Sequence, residues 1–428
     1  MTAKWKREET LSHHKHYRWI ILGLCSSLLF YKYILSLFPS IMVDDLMEQF
    51  KVTGAQLGNL AATFFYTYTI VQLFSGILLD KFGTRFIAGF SIFVAALGAY
   101  IFAQTNSLAW ATVARGMMGF GVSFATVTYF KLSAAWFRVD QLAFVGGLLA
   151  TAVMVGAVFG QAPLAWLLAH TSWRFVLEFC SALGVLIAVL FLTFARARPE
   201  MPENTILQQR HTQLPKAGWK EIKATLKNPQ NWLLMLYSGL AFSPLSAVGG
   251  LWGNPFLQEA YGLSITQAAG LTSLLFIGLG LGGPLLGLLS DKLGNRLGVM
   301  KCWVLVSLFS LLGFVYLPGL PVGAVGILLF MLGFSTGAFM LGFTVGTQIN
   351  PIMLAGTTIA LINTGDSVFE SFTEPMLGKI LDLSGHGYTQ EGLRYFTVHD
   401  YYWAFLPLAF YYIVALAALF FIKEPEGC

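Results

Sequence analysis

Two ten-residue stretches, GILLDKFGTR at residues 76–85 and GLLSDKLGNR at residues 287–296, resemble each other closely. Six of their ten positions are identical, and the stretches lie 211 residues apart in a chain of 428. Self-similarity at a fixed offset is the sequence sign of an internal repeat. Because each stretch follows a long apolar run, the duplicated unit is expected to contain apolar helices.

The composition points to a membrane protein. The chain is 56% hydrophobic and only 11% charged, whereas soluble domains carry about 25% charged residues. A membrane helix needs about 20 mostly apolar residues, and twelve such runs are present. They are 19–40, 57–79, 86–104, 108–130, 141–168, 174–194, 231–253, 267–289, 299–317, 322–347, 355–381 and 402–422. The sequence therefore predicts an all-α membrane protein with twelve transmembrane helices.

The polar segment 195–230 separates six apolar runs from six more. The predicted organisation is a cytoplasmic tail (1–18), a six-helix bundle (19–194), a cytoplasmic linker (195–230), a second six-helix bundle (231–422) and a cytoplasmic tail (423–428). Two pseudo-symmetric bundles around a midplane site form the architecture of alternating-access transporters.

The basic residues predict the orientation in the membrane. If the N-terminus is cytoplasmic and the helices alternate, twenty Lys and Arg residues lie inside and four outside. This is a positive-inside pattern, so the net charge of +5 does not indicate a nucleic-acid partner. The first apolar run lacks a small-residue cleavage site, which favours a retained helix over a signal peptide.

Several motifs resemble those of one family. The repeated loop, G-x-L-x-D-[RK]-x-G-x-[RK], resembles the signature of the major facilitator superfamily. The stretch Arg115–Gly121 is similar to its R-x-x-x-G-x-G element, and Gly156–Pro163 resembles its Gly/Pro-rich element, with Gln161 and Ala162 in place of the usual G-P. Within the superfamily, the chain resembles bacterial metabolite and organic-anion permeases.

The repeated loops suggest a conformational latch. Asp80 and Asp291 are each followed by a cation and by a glycine that permits a left-handed turn. Each carboxylate can pair with Arg85 or Arg296, or face a helix N-terminus of the other half. The family resemblance implies that such contacts latch the outward-facing state and are released as the halves rock.

Lys32 is the unexpected residue of the first helix, in SSLLFYKYILSLFPS at residues 26–40. A charge at mid-bilayer costs about 2.5–3.5 kcal/mol on insertion scales. At the helical rise, Lys32 lies about 20 Å beyond Arg18. We expect it to line a central cavity with Ser36 on the same face, and to pair with an anionic substrate or a carboxylate. The alternative is a lysine that snorkels outward or is paired structurally.

The eleventh run carries NTGDSVFESFTEP, with Asp366, Glu370 and Glu374 at i, i+4 and i+8. Like charges at this spacing repel each other, and a low dielectric disfavours each charge further. Such acids can exchange a proton near neutral pH, so Asp366 and Glu370 are predicted to couple transport to protons. Glu374 should lie near the outer mouth and is a weaker candidate.

Other polar residues inside the runs complete the predicted site. The resemblance implies that Arg115 acts in proton coupling or in a polar network, although a structural ion pair is an alternative. Tyr66, Gln161, Tyr237 and Gln348 are candidate substrate contacts, although helix packing would also explain them.

These patterns predict a secondary active transporter, not an enzyme. It would take up a small polar, carboxylate-bearing metabolite, an organic anion or an amino acid, by proton symport across the bacterial inner membrane. The expected partners are substrate, proton and lipid bilayer, with the chain acting as a monomer. No Walker loop, cofactor motif or metal-ligand spacing is found. The alternatives are a transporter-like receptor and an exporter of a siderophore or drug.

Overall fold

The described part of the chain contains the twelve predicted membrane helices, six in each half. The computed structural model describes residues 2–138, 141–196, 223, 226–317, 319–351, 354–384, 387–390 and 393–423. The first half contains α1 (Thr2–Leu37), α2 (Gly54–Phe82), α3 (Thr84–Gln104), α4 (Leu108–Val122, continued by Ala125–Trp136), α5 (Leu142–His170) and α6 (Trp173–Phe194). The second half contains α7 (Pro229–Ala247, Val248–Trp252 and Gly253–Tyr261), α8 (Ile265–Leu293), α9 (Arg296–Tyr316), α10 (Val322–Thr336, Gly337–Met340 and Leu341–Gln348), α11 (Ala355–Leu383) and α12 (Val398–Phe421).

Three short elements lie in the connections. A 3-10 turn (Phe38–Ile41) and a helix (Val43–Phe50) follow α1. Strands β1 (Tyr388–Gln390) and β2 (Leu393–Tyr395) pair antiparallel between α11 and α12. Most of the predicted linker, residues 197–222, and most of the C-terminal tail, 424–428, lie outside the described residues.

Ten of the twelve helices are long and apolar enough to cross a membrane by composition alone. The other two are α4, which is broken between Val122 and Ala125, and α11, which contains Asp366, Glu370, Glu374, Lys379 and Asp382. In lipid, charged residues face the bundle interior. The charges of α11 therefore keep it below this strict criterion, although the sequence analysis identifies it as the run 355–381.

The duplication extends through entire helices. Thr53 and Gln56 form a capping box at the start of α2, and Ser264 and Gln267 form one at the start of α8. The two boxes are again 211 residues apart, and both helices are 29 residues long. A capping box satisfies backbone N–H groups that a helix start leaves unpaired.

The two halves are in contact at one side of the bundle. We call the side with residues 76–85 and 287–296 the repeat-loop side and the opposite side the far side. On the far side, α2 packs against α11. A Cβ atom at Gly58 would lie 2.5 Å from the carbonyl oxygen of Glu374, and one at Gly378 would lie still closer to that of Gly54. Only glycine permits backbones to approach this closely.

The same helix pairs separate toward the repeat-loop side. Gly76 lies about five turns beyond Gly58 and on the same face of α2, yet a Cβ atom there would meet no atom within 4 Å. Helices α5 and α8 touch at mid-length, where Gly280 faces Met154. Added Cβ atoms at Gly147 and Gly287, nearer the repeat loops, would also meet nothing within 4 Å. The halves are thus closed at the far side and open at the repeat-loop side.

Candidate functional site

Lys32 lies half-buried on α1, and α2 provides its main partner. Its Nζ atom donates a hydrogen bond of 2.8 Å to the hydroxyl of Tyr68. The same atom lies 4.3 Å from the ring centre of Tyr68 and 5.3 Å from that of Tyr33. Ring faces attract a cation, more strongly when it is desolvated. Two tyrosines therefore hold the ammonium inside the bundle. Neither of the ion pairs found among the described residues involves Lys32.

Two carboxylates of α11 are held by serines of α7. Ser238 donates a hydrogen bond of 2.6 Å to Asp366, and Ser246 donates one of 2.6 Å to Glu370. The two acids are 6% and 9% exposed. Both interact electrostatically with Lys32. The structure thus brings together the cation of the first half and the acids of the second half.

Glu374, one turn beyond Glu370, is more deeply enclosed. It is 2% exposed, and its Oε2 atom has no hydrogen-bond partner within the described part of the chain. Its backbone carbonyl accepts a 3.3 Å hydrogen bond from the indole of Trp252. The far-side contact between α2 and α11 seals it on one side.

Arg115 is 1% exposed and is bound by the end of α1. It donates hydrogen bonds to the carbonyl oxygens of Leu35, Ser36 and Ala61. Its guanidinium lies 4.8 Å from the ring centre of Phe38 and 4.7 Å from that of Phe64. The last carbonyls of a helix lack partners within the helix, so Arg115 caps α1 where the chain turns. Its predicted role in proton coupling stays a prediction.

The other predicted substrate contacts lie in varied surroundings. Ser36, Gln161 and Tyr237 are 8%, 0% and 0% exposed. Tyr66 is partly exposed and donates a 3.0 Å hydrogen bond to Asn59 of the same helix, whereas Gln348 is exposed. The predicted role of these five residues in substrate binding also stays a prediction.

A buried polar network crosses between the halves at the far side. Gln161 of α5 donates hydrogen bonds of 2.9 Å to Ser40 and 2.6 Å to the carbonyl of Gly249. Asn254 of α7 donates hydrogen bonds of 2.8 Å to Gln161 and 3.2 Å to Ser40, and it accepts one of 2.6 Å from Thr272. Buried polar groups of this kind are costly to leave unpaired. The network therefore favours contact between the halves.

A second far-side contact involves Asp382 near the end of α11. Its two carboxylate oxygens accept hydrogen bonds of 2.9 and 2.8 Å from the backbone N–H groups of Gly54 and Ala55. These groups begin α2 in the other half. A carboxylate at a helix N-terminus is stabilised by unpaired N–H groups and by the helix dipole.

The predicted latch residues bind within their own halves. Asp80 accepts a 2.6 Å bond from Lys131, and Arg85 donates to the carbonyls of Leu192 and Thr193. On the second loop, Arg296 pairs with Asp291 at 3.2 Å. Gly83 and Gly294 have positive φ angles of 87° and 60°, as the predicted tight turns require. With the repeat-loop side open, these pairings are compatible with a released latch.

The sequence does not single out five functional candidates that the structure reveals: Tyr68, Ser238, Ser246, Asn254 and Asp382. Hydroxyl and amide residues are common in these helices, and their partners depend on how each helix is rotated about its axis. The Asp382 contact has one sequence clue, since a charged residue comes directly after the predicted run 355–381 ends.

Comparison with known proteins places the fold in a family. A model of the Major Facilitator Superfamily matches residues 20–253. The uncharacterized transporter YybO of Bacillus subtilis (strain 168) is 21% identical over 397 residues, 88% of this chain and 91% of YybO. The galacturonate transporter of Dickeya chrysanthemi is 26% identical over 266 residues, 60% of this chain and 76% of the transporter.

A solved structure has the same fold. A bacterial homologue of the human lysosomal transporter Spinster, in an inward-facing and occupied conformation, superposes with a TM-score of 0.74 at 16% identity, covering 96% of this chain and 97% of that one. The family match spans more than half of the chain, and it agrees with the duplicated twelve-helix fold and with the repeated loops. This chain belongs to the Major Facilitator Superfamily.

Proposed function

We propose that this chain is a secondary active transporter that takes up a small polar, carboxylate-bearing metabolite together with a proton. The proposal is supported by the electrostatic interaction of Lys32, in the first half, with Asp366 and Glu370, in the second half. A cation held by neutral tyrosines is available to bind an anionic group. Acids that can lose or gain a proton beside it provide a means of coupling.

The proton step follows from burial. Asp366 and Glu370 each receive a hydrogen bond from one serine, which compensates only part of the cost of removing a carboxylate from water. A proton on one of them lowers that cost when the halves close around the site. Arg115, which interacts electrostatically with Glu374 of the same acidic stripe, adds a fixed positive charge nearby.

The repeat-loop side faces the cytoplasm in this proposal, because twenty Lys and Arg residues are assigned to that side and four to the other. Both termini are then cytoplasmic, and the described state is open to the cytoplasm. The membrane is the bacterial inner membrane, and a single chain supplies both halves of the site.

The similarity to a galacturonate transporter supports a carboxylate-bearing substrate. An organic anion would use Lys32 alone, whereas an amino acid would also use one of the acids. The proposal covers both, and the choice between them is an outcome of the test below.

The test is uptake by the purified full-length protein in proteoliposomes with an imposed inward proton gradient. A panel of radiolabelled monocarboxylates, sugar acids and amino acids is compared with and without a protonophore. We expect accumulation of at least one carboxylate that the protonophore abolishes. Lys32→Ala should reduce uptake at least about tenfold, which corresponds to about 1.4 kcal/mol of lost binding, and Asp366→Asn should uncouple uptake from the gradient.

Lys301→Ala is the matched lysine control. Its ammonium also lies over an aromatic ring, 4.5 Å from the centre of Phe420, but on α9 away from the interior acids. It should transport normally. Normal uptake by both Lys32→Ala and Asp366→Asn would contradict the site, and ligand binding without accumulation would indicate a receptor instead.

A further inference from the structure

Glu374 is enclosed where four helices meet at the far side. Its Oε1 atom lies 3.3 Å from the position of a Cβ atom at Gly250 on α7, and the same position is 3.9 Å from Leu37 of α1. On α2, Gly58 contacts its backbone, and the indole of Trp252 hydrogen-bonds its carbonyl. The side chain is 2% exposed. Closure of the far side therefore removes this carboxyl group from water.

The enclosure leaves the carboxyl group poorly satisfied. Oε2 has no hydrogen-bond partner within the described residues. An ionised carboxylate buried without a partner is costly, whereas the neutral acid is much less so. The geometry therefore favours the protonated form of Glu374 while the halves are closed around it.

The charged and titratable neighbours do not reverse this preference. Arg115 of α4 faces Glu374 and favours its ionised form, but the guanidinium donates its hydrogen bonds to backbone carbonyls. Glu370 of α11, one turn away, opposes a second negative charge. Tyr66 of α2 interacts with Glu374 electrostatically, and α7 contributes Gly250 and Trp252.

We propose that Glu374 is a proton-operated switch that controls closure of the far side. With its proton, the carboxyl group can be sealed between the halves. After the proton leaves, the carboxylate requires water, and the far side opens. This inference rests on the proposed alternating-access function and adds a residue that links protonation to the conformational step.

The proposal fixes the sign of a pH dependence. The closed far side binds the proton, so low pH should favour closure and high pH should favour opening. For one linked proton, the ratio of open to closed molecules rises by up to about tenfold per pH unit.

The experiment measures far-side separation in the full-length protein in nanodiscs. The substitutions Ala109→Cys on α4 and Leu317→Cys, directly after the end of α9, provide two exposed positions for spin labels. Cys302 and Cys428 are replaced by serine so that they are not labelled. Double electron–electron resonance from pH 5 to pH 9 gives the open fraction. In the parent we expect this fraction to rise with pH, and Glu374→Gln should keep the far side closed at every pH.

Two variants provide controls. Glu374→Asp retains a titratable carboxyl group and should retain the pH dependence, as should Glu178→Gln, which alters a carboxylate that accepts a hydrogen bond from Gln104 within the first half. A parent-like pH response in Glu374→Gln would overturn the proposal. So would an open far side in that variant, because it would mean that ionised Glu374 holds the halves together through Arg115. The readout needs no substrate, so it can succeed or fail independently of the uptake assay.

Discussion

The far side and the repeat-loop side satisfy their polar groups in different ways. At the far side, Asn254 and Asp382 bond to residues of the opposite half. At the repeat-loop side, Asp80 and Asp291 pair with cations of their own half. The closed side therefore depends on bonds between the halves, whereas the Lys131–Asp80 and Arg296–Asp291 ion pairs at the open side each lie within one half. When the repeat-loop side opens, Asp80 and Asp291 therefore keep their ion-pair partners.

The strongest test of this difference is to add a methyl group where the halves touch. A Cβ atom at Gly378 would overlap the backbone oxygen of Gly54, which cannot move aside easily. Gly378→Ala should destabilise the closed far side by about 3 kcal/mol, the upper range for overpacking. The measurement is the far-side spin-label distance, which should lengthen.

Gly287→Ala is the matched control for this prediction. It adds the same methyl group to a helix at the open side, where nothing lies within 4 Å. The far-side distance should not change. Equal effects of the two substitutions would remove the distinction between the two sides.

Breaking the buried network should have the next largest effect. Asn254→Ala removes the group that connects Gln161, Ser40 and Thr272. Leaving buried partners unsatisfied costs about 1–3 kcal/mol, so the closed far side should lose about 2 kcal/mol. The same distance measurement checks this. Asn106→Ala, whose bonds to Gln49 and Arg174 stay within the first half, should leave the distribution unchanged.

Asp382→Asn should have a smaller effect in the same direction. The amide keeps the shape of the side chain but loses the charge that faces the two N–H groups and the helix dipole of α2. Capping contributions of this kind are worth about 1 kcal/mol. The open fraction at the far side should rise about fivefold by spin-label distances, and an unchanged fraction would show that the cap does not hold the halves.

The smallest effect is expected for Lys131→Ala. The pair with Asp80 has side chains 33% and 76% exposed, and exposed ion pairs contribute about 0–1 kcal/mol. The apparent melting temperature in detergent should change by little, and the far-side distance should remain that of the parent. A large shift toward an open far side would contradict the view that this pair acts within one half.

The fold was largely predictable because lipid imposes strict demands. Apolar runs must be helices, since every backbone group needs a partner inside the membrane, and the repeated loop located the duplication. The breaks in α4 and α10 carried no comparable signal. The capping boxes at Thr53 and Ser264 lie at the same offset as the repeated loops and can also be recognised in the sequence. They indicate that the repeat includes two complete helices.

The site was predictable in its charges but not in its partners. Lys32, Asp366 and Glu370 stand out because charges are rare in membrane helices. Tyr68, Ser238 and Ser246 do not stand out, because a hydroxyl becomes a partner only when two helices present it to the charge. Gln161 illustrates the converse case. Its polarity suggested a substrate contact, which stays a prediction, and its place in the network between the halves could not be read from the sequence.

The most direct test of the central claim, that the halves open at one side as they close at the other, is a pair of distances in one preparation. Labels after Ala109→Cys and Leu317→Cys report the far side, and labels after Lys81→Cys and Lys292→Cys report the repeat-loop side, with and without Gly378→Ala. The account predicts that this substitution lengthens the far-side distance and shortens the repeat-loop distance. A longer far-side distance with an unchanged repeat-loop distance would contradict it.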